Sequence, residues 1–325
     1  MPYIDDLEKV VGCKLPASVV IEALNENSPL FVERDARGFT FIAIDKYKEL
    51  KNYMEGKTIS PLSQLPELKL LLADDECSDF IGIFVSGPML GRLALVGHDT
   101  NIDCAPLYRS LNSLIEAMKA GFRTPDTEWP YQVDYPNTGD ELQVSASMAD
   151  IEGDIICVKQ VETLAASTSD PFRKRFLNSC VASLTPKEHV ARLVPMLESS
   201  DYHICGRACS IMGFYQFDKV CSKLAKIATD VTNPARFCAI DGLGLMKTKA
   251  SQETLIELVR NGTELPGNIT TALRKNGFEA SFRKRYAETG QVVIEWHVCI
   301  SEGDKPQIIN VDNKSRPVYW WKVGL

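Results

Sequence analysis

Histidine is scarce in this 325-residue chain. Only His98, His189, His203 and His297 occur, and no two of them stand at a metal-ligand spacing such as HExxH. His203, Cys205 and Cys209 come nearest to a zinc set, since Cys205 and Cys209 fall four apart on one helix face, but no fourth ligand stands nearby. No metal and no cofactor are therefore expected. Nucleophile and phosphate signatures are missing as well: there is no GxSxG elbow, no GxxxxGK[ST] loop and no GxGxxG after a strand. Gly242-Leu243-Gly244 falls inside a helical pattern, and His98-Asp99 is no acid–base dyad, because neighbours on a strand point to opposite faces. No catalytic residue is expected, so the chain is read as a non-enzyme. Also lacking is any run of 18 or more apolar residues, and the first fifteen residues carry acids in place of the apolar core of a signal peptide. A cytoplasmic protein that does not enter membranes is the expectation. Its ten cysteines, spread from Cys13 to Cys299, are read as thiols, because a chain this long does not need disulfide staples.

What is present is an internal repeat. Cys180, Cys209 and Cys238 stand 29 residues apart, and the same offset relates Asp201 to Asp230, Arg207 to Arg236, Ile211 to Ile240 and Gly213 to Gly242. A period near 30 with helical patterning predicts stacked helix pairs, each unable to bury its apolar face alone. Asp170-Pro171 opens a helix through Leu184, and Thr185-Pro186-Lys187-Glu188 opens a second to Leu197. Asp201 caps the next pair, Tyr202–Met212 and Lys219–Ile227. Asn233-Pro234 restarts the pattern through Met246, and Ser251 begins the last helix, Glu253–Val259. The Asp-x5-Arg arrangement at Asp201/Arg207 and Asp230/Arg236 resembles HEAT repeats, where such pairs tie adjacent repeats together. A HEAT-like array over residues 169–264 is expected, closed by a small C-terminal β element over 265–325. That element holds a short helix at Asn268–Asn276 and strands at Gln291–Ile300, Pro306–Asp312 and Val318–Val323.

The amino-terminal part reads as an α+β domain over residues 1–121. A helix is expected in Leu15–Asn27, then a hairpin of Leu30–Glu33 and Gly38–Ala43 across a polar turn. Short helices follow at Asp45–Tyr53 and, in the leucine-rich Pro61–Ala73, from Pro66. Phe80–Val85 and Arg92–Val96 form paired strands across the Pro88–Gly91 turn, and Ser110–Lys119 is a closing amphipathic helix. The order of the Leu-Pro helix, GFTFIAIDKYKEL, DDECSDFIGIFVSG, GRLALVGHDT and SLNSLIEAM resembles the SUKH superfamily over roughly residues 10–120. That superfamily groups cell-wall assembly regulators with bacterial immunity proteins. Residues 122–168 read as an acidic connector carrying Pro125, Pro130 and Pro136, with one strand, Ile155–Val158.

Charge is divided unevenly. Residues 1–169 hold 27 Asp and Glu against 14 Lys and Arg, whereas residues 170–325 hold 16 against 22. The acidic half disfavours a phosphate backbone and favours a basic protein partner. The residues expected to meet it are Asp74, Asp75, Glu76 and Asp79 in one loop and Asp126, Glu128, Trp129, Asp134, Asp140 and Glu141 in the connector. Joined to the resemblance, this implies an immunity protein that binds and neutralises a cognate toxin. A HEAT-like DNA glycosylase is an alternative, weakened because Trp129, Trp296, Trp320 and Trp321 all lie outside residues 170–264. A signalling scaffold is another; it would bring long disordered tails, which the composition does not provide.

Overall fold

A computed structural model describes residues 2–25, 30, 39–43, 46–47, 49–50, 52, 61–74, 80–97, 104–119, 132–137, 142–261, 265–286, 292–299 and 307–311. The chain divides into two compact units, residues 1–189 and 190–325. Among the described residues no helix is long and apolar enough to cross a membrane.

The first unit opens with two helices, α1 (Pro2–Val11) and α2 (Ala17–Ala23), the second entered directly from Pro16. Five strands follow: β1 (Phe39–Phe41), β2 (Leu68–Asp74), β3 (Phe80–Phe84), β4 (Leu93–Val96) and β5 (Pro106–Tyr108). They form one antiparallel sheet in sequence order, with the short helix α3 (Pro61–Gln64) leading into β2. All five residues of the central strand β3 are buried, so the sheet is covered on both faces there. The closing helix α4 (Leu111–Lys119) buries Leu111, Leu114, Ile115, Ala117 and Met118, the stripe its amphipathic pattern predicts.

One expectation for this region is corrected. The leucine-rich stretch after Pro66 is strand β2, held between β1 and β3. Leucine favours helix, but here Leu68, Leu70, Leu71 and Leu72 are all fully buried in a strand paired on both edges, and that burial and pairing outweigh the preference; a register shift between Leu70 and Leu72 takes up the extra residue. β1 pairs with β2. The expected hairpin arm Leu30–Glu33 lies outside the described residues except for Leu30, and the Asp45–Tyr53 helix is helical at Lys46, Tyr47, Glu49, Leu50 and Asn52.

The acidic connector is also corrected. After the two-residue parallel pair β6 (Gln132–Val133) and β7 (Leu142–Gln143), the chain forms a 20-residue helix, α5 (Met148–Ser167), where a strand was expected. Ser147 and Asp150 make a reciprocal capping box at its start. The buried positions Asp154, Cys157, Val158, Val161 and Ala165 follow helical spacing, which overrides the β preference of Ile155 and Ile156. Next comes α6 (Pro171–Leu184), whose Asp170 cap accepts from the Phe172 and Arg173 amides. It packs on α5, α3 and β5 and bonds Arg173 to Glu67 at 3.0 Å, so this first helix of the expected array belongs to the first unit.

A 3₁₀ segment with Pro195 inside it, Lys187–Glu198, stands where an α-helix was expected to Leu197. In the second unit Asp201 caps α7 (Tyr202–Phe214) by accepting from the His203 amide at 3.0 Å. Then come α8 (Cys221–Thr229), α9 (Arg236–Met246), α10 (Lys249–Arg260) and α11 (Pro266–Lys275). Helix α9 is the hub, packed on α7, α8, α10 and α11. The repeat acquires a direct meaning here. Gly213 and Gly242, equivalent in the period, touch: a methyl on Gly213 would lie 2.5 Å from the Gly242 carbonyl oxygen, and one on Gly242 would lie 2.6 Å from that of Cys209. Gly244 meets Ala272 of α11 in the same way, at 2.7 Å from its Cα. Close approach of helix backbones, which any side chain would prevent, stacks α7, α9 and α11.

A three-stranded antiparallel sheet in the order β10-β9-β8 follows in the second unit: β8 (Glu279–Tyr286), β9 (Val292–Cys299) and β10 (Gln307–Val311). Strands β9 and β10 stand where the sequence places them, and β8 was not expected. The sheet packs through β8 on α11 and through β10 on α10. The strand expected at Val318–Val323 lies outside the described residues.

Candidate functional site

The densest polar arrangement among the described residues sits in the first unit, where β4, β5, the segment after β6 and α5 meet. Arg92 immediately precedes β4 and Arg109 immediately follows β5. The amides of Asp134 and Tyr135 both donate to the Leu107 carbonyl, at 3.0 and 3.1 Å, which seats that segment against β5. Helix α5 supplies Asp154, four residues beyond its capping Asp150.

Asp154 is almost fully enclosed, its side chain 3% exposed. Its Oδ1 accepts from Arg92 Nη2 at 3.0 Å and from the Tyr135 hydroxyl at 2.6 Å. Its Oδ2 accepts from Arg109 Nη2 at 2.8 Å and Nε at 3.2 Å. Tyr135 in turn accepts from Arg92 Nε at 3.1 Å, and its ring lies 4.8 Å from the Arg109 guanidinium carbon. Asp134 completes the set, accepting from the Arg109 amide at 2.7 Å and from Nη1 at 3.1 Å. Burial works against the charge on Arg92, but Tyr135, Cys157 and Asp154 around it hold its proton more firmly than usual. Burial pushes the Tyr135 hydroxyl well above the ordinary phenol range, against the opposing pull of Arg92 and Arg109, so it stays a neutral donor to Asp154. Two cations and two carboxylates balance.

Chemically this is a clamp. Every carboxylate oxygen of Asp134 and Asp154 is engaged by a donor from within the unit, and what the arrangement does is join α5 and the Asp134–Tyr135 segment to the sheet.

The expected partner-binding residues are thereby divided. Asp134 is corrected: its side chain is 8% exposed and paired with Arg109, because the adjoining amides dock it on β5, so it is not a surface acid. Asp74 ends β2 opposite Phe39. Asp75, Glu76, Asp79, Asp126, Glu128, Trp129, Asp140 and Glu141 lie outside the described residues. Arg92, Arg109, Tyr135 and Asp154 escaped sequence reasoning. The one available signal was the Ser147-x-x-Asp150 box followed by the 154/157/158/161/165 stripe, which marks a helix with an acid on its buried face.

In the second unit the free thiols of Cys205 and Cys209 interact along α7, and this contact lowers the Cys205 thiol and raises Cys209, with burial adding to the rise. Cys205 also donates to the Leu197 carbonyl at 3.4 Å. Cys180 and Cys209 are fully buried, while Cys238 is half-buried, so the three repeated cysteines do not share one degree of enclosure. No group of three or more His, Cys, Asp or Glu among the described residues is arranged to hold a metal ion.

Comparison with known proteins found no matching family profile, no matching curated protein and no matching solved structure.

Proposed function

We propose that this chain is an immunity protein that binds a basic cognate toxin and neutralises it by direct protein–protein contact. The observation that carries this reading is the net charge of −13 over residues 1–169. The buried clamp takes up as many cations as carboxylates, so it leaves that excess unchanged. An excess of one sign steers an oppositely charged partner and accelerates its docking. The SUKH-like order of segments in residues 10–120 supports the same class, and a HEAT-like array is a familiar frame for protein binding.

The test uses the product of the neighbouring reading frame, purified and titrated against this protein by calorimetry and stopped flow. Tight one-to-one association that abolishes the product's toxicity is expected, with an association rate falling steeply as salt rises. Joint replacement of Asp74, Asp75, Glu76 and Asp79 by Lys should slow association at low salt by at least about tenfold and flatten its salt dependence. Unchanged low-salt rates would remove that loop from the interface, and absence of binding to the neighbouring product would overturn the immunity reading.

A further inference from the structure

We draw no further inference here: the strongest candidate, the exposed apolar side chains of Tyr202 and Phe237 at the starts of α7 and α9 and of Val231 between α8 and α9, carries nothing because no feature of the structure shows what covers them.

Discussion

In the first unit four charged side chains and a tyrosine converge on one enclosed point, whereas in the second the backbones of α7 and α9 approach until a single methyl would not fit. The first arrangement joins elements distant in sequence through directional, charged hydrogen bonds; the second stacks α7 and α9 through missing side chains. Each is sensitive to a different kind of damage. A charge clamp tolerates small changes of volume but not the loss of a partner, because an unpaired ion would be left buried. A glycine contact is indifferent to charge and intolerant of bulk.

The largest effect is expected at Asp154. Asp154→Ala leaves Arg92 and Arg109 facing each other without their shared carboxylate, a loss of about 3–5 kcal/mol. Denaturant melts followed by the near-ultraviolet signal of the tyrosines would check it. A loss under about 1 kcal/mol would mean that water reaches the clamp and that the contrast between the units is not one of burial. Replacing the set with apolar residues of similar size should recover much of the loss, since the ions then leave together.

Next in size is Gly213→Ala. The added methyl meets a carbonyl oxygen at 2.5 Å, and neither helix backbone can rotate away as a side chain would, so about 3 kcal/mol is expected. Gly206→Ala supplies the control on the same helix. There the nearest atom, at 2.9 Å, is the Cys238 sulfur, the end of a side chain that can move, and the loss should be about 1 kcal/mol. Equal losses at the two glycines in thermal melts would show that backbone approach is not what stacks α7 on α9.

The two arrangements also differ in how far the sequence reveals them. The second unit is legible because its determinants are local or periodic: Asp201 announces α7, and Gly213 and Gly242 belong to the 29-residue offset before any contact is seen. Even there Pro195 tightened a predicted α-helix into a 3₁₀ segment, and β8, rich in Arg and Lys at Arg283–Arg285, gave no strand pattern. The clamp was not legible. Arg92 and Asp154 are 62 positions apart and Arg109 and Asp134 are 25 apart, and nothing in one segment marks its partner in another. Composition alone therefore put Asp134 on the surface with the other acids. The leucines of β2 misled for a related reason: their helical preference is overridden only by strands that flank them from outside the segment.

The smallest effect carries the comparison down to the helix ends. Helix α5 in the first unit is capped by a box that contains a carboxylate: Ser147 accepts from the Asp150 amide, and Asp150 accepts from the Ser147 hydroxyl and amide. Helix α10 in the second unit has a box built from hydroxyls alone, with Thr248 accepting from the Ser251 amide and Ser251 from that of Thr248. Ser147→Ala and Thr248→Ala should each cost about 1 kcal/mol near neutral pH. Their pH responses should diverge. The Ser147 hydroxyl, followed by its amide, holds the Asp150 carboxyl below its ordinary value of 3.8, so the folded state binds that proton less readily than the unfolded chain. Its contribution is therefore present above the unfolded value and disappears as pH falls through the lower folded one. The difference between wild type and Ser147→Ala should shrink in melts taken at pH values progressively below 3.8, whereas that for Thr248→Ala should hold, there being no proton to gain. A Ser147→Ala difference that stays constant through this range would show that the neutral hydroxyl-to-amide bond alone stabilises the start of α5, leaving the two caps equivalent in kind.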